Sequence, residues 1–338
     1  MDVAVVILNW NGREYLETYL PSIIQHSTSV RLILADNAST DDSLEFVERT
    51  YPQIEVIRNK TNAGFAEGYN LALEQIQADI FVLLNSDIEV TAGWIEPILN
   101  RFKSDESIVA CQPKILALLE KNRFERAGAA GGFIDKDGFP FCRGRIFDHA
   151  ELDEGQYNES SEIFWATGAC LFIRAEAFKT ASGFDSDFFA HMEEIDLCWR
   201  LKRHGYRIWY EARSTVYHLG GGTLNYMSTH KTFLNFRNNL YMLHKNYPGM
   251  LFPKIYKRLL MDGLAAGKFL TSLQFGHFWA VVRAHSSYYG KLGSLNRKRR
   301  QLKAESKVNA ISMVYPRSVV VRYFFGGIKK FSDLGWKP

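Results

Sequence analysis

Residues 83–90 read LLNSDIEV, an apolar strand end that runs directly into Asn85, Ser86 and Asp87. Together with DIFV at residues 79–82, this stretch forms the short, bulky, apolar run that is typical of a buried strand. No lysine or arginine stands within it to neutralise Asp87. A buried strand that ends on a carboxylate without a basic neighbour is unusual, because buried charges normally have a partner.

The chain before this stretch alternates strand and helix patterns. Apolar, β-branched runs predict strands at residues 3–10 (VAVVILNW), 31–36 (RLILAD) and 54–59 (IEVIRN). Helical spacing occupies residues 13–26, 39–51 and 64–76, and we expect Ser39 or Thr40 to cap the second of these helices. Four strands alternating with three helices predict a doubly wound, mostly parallel α/β sheet, which binds ligands at the carboxyl ends of its strands.

Polar residues collect at those predicted strand ends. Asn9 ends the first strand, Asp36 ends the second, Asn62 follows the third, and Asn85 and Asp87 follow the fourth. The first turn, NWNGREY, has a single glycine and lacks the G-x-G-x-x-G fingerprint, and the P-loop pattern is missing too. The sequence therefore disfavours a dinucleotide-binding enzyme and a P-loop nucleotidase.

Composition and charge predict two parts. The 338 residues are 46% hydrophobic and 23% charged, which is typical of a globular protein. Four cysteines lie far apart without a C-x-x-C spacing, so we expect reduced, structural thiols. Residues 251–338 hold 17 Lys and Arg against three Asp and Glu. We therefore divide the chain at a Tyr-Pro-Gly turn into a domain at residues 1–247 and a basic, mainly helical extension at residues 248–338.

The cellular location is predicted from two further segments. Residues 1–10 lack the basic start and the cleavage site of a signal peptide, which favours a cytoplasmic protein. Residues 261–282 are the best candidate for a membrane span, but Asp262, Lys268 and His277 interrupt them. A spanning helix needs roughly 20 nearly uninterrupted apolar residues. We expect no transmembrane helix.

Seven segments, in order, resemble the motifs of one enzyme family. They are VILNWNG (6–12), ADNASTDDS (35–43), NAGFAEGYN (62–70), LLNSD (83–87), WATGACLFIRAEAF (165–178), GFDSDFFAHMEEIDLCWRLKRHGY (183–206) and VYHLGGGT (216–223). They resemble the family 2 glycosyltransferases of the GT-A fold, in the bacterial rhamnosyltransferase-like branch. The resemblance implies a Rossmann-like GT-A sheet and an inverting, metal-dependent enzyme of cell-envelope polysaccharide synthesis. Such an enzyme moves a hexosyl or deoxyhexosyl group from a nucleotide-sugar donor to a hydroxyl of a glycan or lipid-linked acceptor.

The resemblance assigns the metal site. Asp87 matches the last residue of an Asp-x-Asp motif that binds Mg²⁺ or Mn²⁺, cations that take carboxylate and phosphate oxygens. Asn85 stands where the family has its first aspartate, so we expect it to contact the ribose or a water molecule. The second metal ligand is a histidine, here His218. The glycines at 220–222 would let the backbone approach a phosphate.

The nucleotide pocket follows from the same comparison. Asp36 matches the position whose carboxylate accepts a hydrogen bond from the pyrimidine ring, so a UDP- or dTDP-sugar is the expected donor. Asn9, Asn62, Gly64 and Gly68 match the rest of the pocket, where the glycines allow close backbone approach.

The catalytic base is predicted within HMEEIDLCWR. Glu193, Glu194 and Asp196 crowd three carboxylates into four positions, and we expect their repulsion to raise the proton affinity of Glu194. An acidic, solvated start of a helix would give the same pattern. By resemblance to the family's Glu-Asp-x-Asp motif, Glu194 is the expected base and Glu193 the alternative.

The extension allows two interpretations. Apolar residues at helical spacing alternate with basic ones, a pattern of helices that bind anionic membrane surfaces. The aromatic side chains of Tyr256, Phe269, Phe275 and Trp279 could equally pack on the catalytic domain. Membrane attachment would place the protein peripherally on the inner face of the plasma membrane. The basic run NRKRR without a recognition fold is a weak signal, and we expect no nucleic-acid partner.

Two other functions fit the predicted fold. The departures from the family at Asn85 and Glu194 are compatible with a catalytically silent protein that binds nucleotide sugars as a scaffold. A nucleotidyltransferase would share the sheet and the need for a metal. The released product distinguishes the three functions: nucleoside diphosphate for sugar transfer, pyrophosphate for nucleotidyl transfer, and neither for a scaffold.

Overall fold

The structure, a computed structural model, describes residues 1–220, 228–308 and 310–338. Strands and helices alternate first in the order β1 (Val3–Asn9), α1 (Arg13–His26), β2 (Arg31–Asp36), α2 (Ser43–Thr50), β3 (Glu55–Arg58), α3 (Gly64–Leu73) and β4 (Ile80–Asn85). β1 pairs in parallel with β2 and β4, and β2 pairs in parallel with β3. Because Asn9 is in register with Asp36, and Leu8 with Asn85, the predicted strand ends meet at one edge. The predicted α/β sheet is confirmed.

The middle of the chain extends this sheet with strands of both directions. Its elements are β5 (Ile88–Val90), α4 (Glu96–Ser104), β6 (Ile108–Ala117), β7 (Gly132–Asp135), β8 (Pro140–Cys142), β9 (Arg145–Ile146), β10 (His149–Ala150), β11 (Ser161–Ile163), β12 (Cys170–Arg174), α5 (Ala175–Thr180), a 3₁₀ turn (Ser186–Phe188), α6 (Glu193–Arg203) and β13 (Arg207–His218). β12 runs antiparallel between β4 and β6, whereas β6 and β13 are parallel. In the described ranges the sheet has the order β3-β2-β1-β4-β12-β6-β13-β11, with β5 paired to β13.

The C-terminal part is mainly helical, as predicted. Its elements are α7 (Thr229–Asn246), α8 (Leu251–Thr271), α9 (Phe275–Gly290), α10 (Leu292–Glu305), β14 (Val314–Tyr315), α11 (Val319–Phe324) and a 3₁₀ turn (Ser332–Leu334). β14 pairs with β7 and completes a second sheet, β10-β9-β8-β7-β14, within the described part of the chain. None of the helices in the described ranges has the length and apolar character that crossing a bilayer requires.

The extension is in contact with the N-terminal domain. Arg299 of α10 is buried and donates to the carbonyl oxygens of His244, Tyr247 and Gly249. The backbone of β14 adds to a sheet whose other strands belong to residues 132–150. The predicted domain boundary after Tyr247 falls in the turn between α7 and α8. It stays a prediction from composition, because the two parts are in contact.

α2 begins later than predicted. Its first residue is Ser43, and no side chain caps it. The Ser39 hydroxyl instead donates to Asp36 Oδ1 at 2.5 Å and accepts from Asn9 Nδ2 at 3.0 Å. The expected cap at Ser39 or Thr40 was wrong, because Ser39 holds the end of β2.

Candidate active site

Asp87 lies in the short turn between β4 and β5. β5 pairs antiparallel with the end of β13, in a register that matches Ile88 with His218. This pairing places His218 Nε2 3.1 Å from Asp87 Oδ1. On the other side of the ring, His218 Nδ1 lies 3.2 Å from Glu125 Oε2, and all three side chains are buried. The sheet edge therefore carries an imidazole between two carboxylates.

The two carboxylates determine the charge of His218. Burial alone would disfavour a charged imidazole, but Asp87 and Glu125 outweigh it and raise the pKa of His218 to about 10. Asp87 has no basic neighbour in sequence, yet the fold brings it a partner from 131 residues away. The site thus attracts positive charge.

Asp87 and His218 fit a divalent cation. Carboxylate oxygen and neutral imidazole nitrogen are both ligands of Mn²⁺, so a cation that binds here would displace the proton from His218 Nε2, which lies 3.1 Å from Asp87 Oδ1. Glu125 contacts the opposite ring nitrogen and so orients the ring. Among the described residues, no cluster of three or more His, Cys, Asp or Glu side chains could enclose a metal ion. Phosphate oxygens and water usually complete such sites. Of glycines 220–222, the last two lie outside the described residues.

Asn85 connects this pair to α6. Its backbone N–H donates to the carbonyl oxygen of Ala169 at 2.9 Å, and its side chain is partly buried. Next to Ala169 is Gly168, where an added Cβ would lie 3.8 Å from Cβ of Glu194. The strand end that precedes Asp87 and the helix that carries Glu194 are therefore neighbours.

Asp36 is held from three directions. Its carboxylate accepts from Asn9 Nδ2 at 3.1 Å and from the Ser39 backbone N–H at 3.0 Å, in addition to the Ser39 hydroxyl. Asn9 is fully buried, and its Nδ2 also lies 2.9 Å from Ser43 Oγ. Asn9 Oδ1 has no hydrogen-bond partner among the described residues. Asn9 thus orients the carboxylate of Asp36 through this hydrogen bond. The contact of Asp36 with a pyrimidine stays a prediction.

Asn62, Gly64 and Gly68 surround the start of α3. Asn62 Oδ1 accepts from Asn37 Nδ2 and from the Gly64 N–H, both at 3.0 Å. Gly64 has φ +79°, and an added Cβ would lie 2.6 Å from the carbonyl oxygen of Phe189. A Cβ at Gly68 would lie 3.0 Å from Asn37 Nδ2. At both glycines the missing side chain leaves room for neighbouring protein groups. Their contact with the donor stays a prediction.

Residues 185–192, which we call the base loop, lead into α6 in an unusual conformation. Phe189, His191 and Met192 have φ values of 63°, 70° and 72°, a region that non-glycine residues rarely occupy. The N–H groups of Phe65 and Ala66 at the start of α3 donate to the Phe189 carbonyl at 2.7 and 3.2 Å. Such strain persists only where the surroundings over-determine it, and it clusters at functional sites.

The C-terminal helices also hold the base loop. Buried Asn238 of α7 has its Nδ2 within 2.9 Å of the carbonyl oxygens of Phe188, Ala190 and His191. On α10, Lys298 Nζ lies 2.6 Å from Asp185 Oδ1. The conformation that presents α6 therefore depends on helices from both parts of the chain.

Glu193 and Glu194 are the two carboxylates that begin α6. Burial raises the pKa of Glu194 to about 7, against the opposing effect of backbone N–H groups. Burial and the charge of Glu194 raise the pKa of Glu193 well above its usual range. One oxygen of each, Oε2, has no hydrogen-bond partner among the described residues. Asp196 is fully buried and bound to Arg200 and Lys245, both at 2.9 Å. The expectation that repulsion by Glu193 and Asp196 raises the proton affinity of Glu194 was wrong in its cause, because burial raises the pKa of Glu194, while the charge of Asp196 raises that of Glu193.

Two residues of the site escaped the sequence analysis. Glu125, which contacts His218, lies in a stretch without periodicity, between the segments that resemble family motifs. Asn238 lies in the helical pattern FLNFRNNLYML at residues 233–243. Two adjacent asparagines in a largely apolar helical stretch are the feature of the sequence that could have drawn attention to it. Buried amides must find hydrogen-bond partners, which points to a structural task without identifying it.

The order of the central sheet and the helices that flank it are those of the GT-A fold. Residues 4–180, more than half of the chain, match the family model Glycosyl transferase family 2. The chain belongs to this family.

Individual relatives are distant. The chain is 26% identical over 248 residues to N-acetylglucosaminyl-diphospho-decaprenol L-rhamnosyltransferase of Mycobacterium tuberculosis, a match that covers 63% of this chain and 75% of the relative. The fold resembles that of S. aureus TarS 1–349 in complex with UDP-GlcNAc, with a TM-score of 0.52, 14% identity, and coverage of 90% and 84%. It also resembles GalNAc-T7 with UDP, GalNAc and Mn²⁺, with a TM-score of 0.55, 16% identity and coverage of 72% of this chain. The chain spans about half, 48%, of that last structure.

Proposed function

We propose that this glycosyltransferase moves a hexosyl or deoxyhexosyl group from a nucleoside diphosphate donor to a hydroxyl of a lipid-linked glycan, with inversion at the anomeric carbon. The observation that carries the proposal is that neighbouring segments of the fold hold two different groups. One is the Asp87–His218 pair, 3.1 Å apart, and the other is the partly buried side chain of Glu194, whose Oε2 is shielded from solvent. Gly168 lies next to Glu194, and the adjacent Ala169 accepts a hydrogen bond from the strand end that precedes Asp87.

The first group serves the donor. Asp87 and His218 would hold Mg²⁺ or Mn²⁺ against the diphosphate, with Glu125 fixing the imidazole ring. When bound, a divalent cation stabilises the negative charge that develops on the departing diphosphate. Asp36, oriented by Asn9, would accept a hydrogen bond from the imide N–H of uracil or thymine, which favours a UDP- or dTDP-sugar. The similar GalNAc-T7 structure holds UDP together with Mn²⁺, which supports this choice.

The second group serves the acceptor. Glu194 takes the proton of the attacking hydroxyl while the hydroxyl oxygen bonds to the anomeric carbon. The bond from that carbon to the diphosphate oxygen breaks on the opposite face, and its electron pair leaves with the nucleoside diphosphate. A pKa of about 7 suits a general base at neutral pH. Burial and the charge of Glu194 raise the pKa of Glu193 well above its usual range, and Glu193 stays the alternative base.

The acceptor is inferred from a relative. The mycobacterial rhamnosyltransferase is named for an acceptor carried on decaprenyl diphosphate, and this chain shares most of its length with that enzyme. We infer an acceptor of the same chemical class, a sugar on a polyprenyl diphosphate, for cell-envelope polysaccharide synthesis. Such an acceptor lies at a membrane surface, which supports a peripheral position on the cytoplasmic face.

The test measures which product the protein releases. UDP-, dTDP- and GDP-sugars are first screened with Mn²⁺ by thermal shift, since a ligand that binds the folded state raises its apparent stability. The stabilising donor is then incubated with N-acetylglucosaminyl-diphospho-polyprenol as the acceptor probe. Acceptor-dependent release of nucleoside diphosphate supports the proposal. Pyrophosphate would show a nucleotidyltransferase, and donor binding without turnover would favour the scaffold.

A further inference from the structure

α8 and α9, with the turn at residues 272–274, form a helical hairpin on the outside of the extension. Buried residues attach it to the rest of the protein, among them Ile255 and Ala266 of α8 and Ala280 and Ala284 of α9. The faces that carry these residues are covered, mainly by contacts with α7 and between the two helices. The opposite faces are open to solvent in the described structure.

The open face of α8 is a continuous apolar stripe. Phe252, Tyr256, Leu260 and Leu264 follow one another at intervals of four residues, which places them on one side of a helix. All four are exposed, Phe252 to 81% and Leu264 to 73%. A water-facing helix surface normally carries polar residues at such positions. This stripe therefore lacks its partner.

The open face of α9 continues the pattern. Phe275, Trp279 and Val282 are exposed at helical spacing, with Trp279 at 59%, and exposed Leu273 stands in the turn between the helices. Of the aromatic residues that we expected to bind membrane or pack inward, Phe269 alone is partly buried, stacked on His277 at 5.2 Å. The other three face solvent.

The charge of the hairpin has one sign. Asp262 is the one acidic residue in residues 248–290, and it is buried against Arg258 at 2.8 Å. Lys268 and Arg283 are exposed on the same two helices, and Lys257, which is also exposed, is paired with Asp137 at 2.7 Å. The open surface is thus apolar and basic, without an exposed carboxylate among its described residues.

We propose that the α8–α9 hairpin lies in the interface of an anionic lipid bilayer, with its apolar stripe among the acyl chains and its basic residues at the headgroups. Apolar area and attraction to anionic lipid are the two terms that drive such binding. A second copy of the chain is a poorer occupant, because two basic surfaces would face each other. The proposal deepens the proposed function by placing the enzyme where a lipid-linked acceptor lies, but bilayer binding needs no transfer activity.

Co-sedimentation of the full-length protein with vesicles tests the surface. Vesicles of phosphatidylcholine alone are compared with vesicles that also contain phosphatidylglycerol, at low and high salt. We expect binding to the anionic vesicles at low salt and weaker binding at high salt. The reason is that the Debye length, over which charges attract one another, falls from roughly 10 Å at 0.1 M salt to roughly 3 Å at 1 M.

A matched pair of variants locates the binding surface. Leu264→Glu combined with Trp279→Glu should weaken binding to anionic vesicles by at least about tenfold, because both changes put a charge among the acyl chains. Leu119→Glu makes the same change at an 82% exposed leucine outside the extension, and it should bind vesicles like the unaltered protein. Circular dichroism and light scattering confirm that each variant is folded and report its oligomeric state.

Each outcome decides the proposal. Loss of binding in the double variant but not in Leu119→Glu supports it. Equal binding by all three proteins, or no binding to anionic vesicles, overturns it. A dimer that the double variant dissociates, without vesicle binding, would assign the hairpin to a contact between copies instead. Vesicle binding by a protein that transfers no sugar would keep the bilayer surface and refute the proposed function.

Discussion

His218 and Asp87 are 131 residues apart in sequence, and their side chains meet at 3.1 Å. The antiparallel register of β13 and β5, which pairs His218 with Ile88, creates this contact. A slip by one residue would turn His218 to the opposite face of the sheet. The pairing of the three-residue strand β5 with the end of β13 thus determines whether Asp87 and His218 meet.

The first prediction concerns that site. Asp87→Asn keeps the size of the side chain but removes its charge, so it should abolish turnover and the Mn²⁺-dependent part of UDP affinity. Isothermal titration with UDP, in Mn²⁺ and in EDTA, measures the effect. Asp79→Asn, at the far end of the same strand region, is the matched control and should behave like the unaltered protein. Full activity of the unaltered protein in EDTA would contradict the assignment.

The second prediction concerns the base. Glu194→Gln should lower kcat by roughly 10² to 10⁴, the usual contribution of a positioned base, and leave donor affinity unchanged. The kcat of the unaltered enzyme should rise with pH through about 7, as Glu194 loses its proton. Glu193→Gln serves as the comparison. If it loses activity while Glu194→Gln retains it, the base is Glu193; if neither loses activity, the base lies elsewhere.

Local patterns carried most of the fold prediction. β1 to β4 and the helices between them follow from apolar runs and helical spacing, and parallel pairing follows from their alternation. β5 was missed because three residues, Ile88–Val90, hold no measurable period. The second sheet was missed for the same reason, since its strands have two to four residues and β14 joins from the far end of the chain. Short strands are defined by their partners, which a sequence pattern does not contain.

The same distinction applies to the candidate site. Asp36, Asp87 and Glu194 stand at recognisable points of the pattern, at strand ends or a helix start. The contact of Glu125 with His218 joins residues that are far apart in the sequence, and no spacing rule relates them. Burial, which sets the proton affinity of Glu194, is likewise a property of the assembled fold.

The third prediction uses Gly64. Gly64→Ala adds a methyl group 2.6 Å from the Phe189 carbonyl at a positive φ, so it should displace the base loop, lower kcat and destabilise the fold by about 1 to 3 kcal/mol. Gly263→Ala makes the same change inside α8, where nothing lies within 4 Å, and should be neutral or slightly stabilising. Urea unfolding and steady-state kinetics of both variants check this. Equal effects of the two substitutions would refute the role given to Gly64.

The fourth prediction concerns the attachment of the extension. Arg299→Met keeps the aliphatic stem but leaves the carbonyls of His244, Tyr247 and Gly249 without this donor, which should cost about 2 to 4 kcal/mol. Arg300→Met, at the exposed neighbour in α10, should change stability by less than about 0.5 kcal/mol. Chemical unfolding monitored by circular dichroism compares them. Similar stabilities would mean that α10 is not firmly attached through Arg299.

The fifth prediction links the base to stability. The pKa of Glu194 rises from an ordinary value of 4.5 to about 7 in the folded protein because of burial. Between those pH values the folded state keeps a proton that the unfolded state releases, so the free energy of unfolding falls as the pH rises. The stability that Glu194 contributes in its protonated form is fully present below pH 4.5 and is lost as the pH rises to about 7. Glutamine does not titrate. Relative to the unaltered protein, Glu194→Gln should therefore gain stability between pH 5 and pH 8, by up to about 3 kcal/mol.

Urea unfolding at pH 5 and pH 8 measures this gain. Glu106→Gln, at an exposed carboxylate, is the matched control, and its difference from the unaltered protein should be the same at both pH values. A gain for Glu194→Gln that accompanies the loss of kcat would show that one partly buried carboxylate both destabilises the fold and provides the base. If the difference does not depend on pH, Glu194 is ionised without cost in the folded protein, and burial is not the source of its proton affinity.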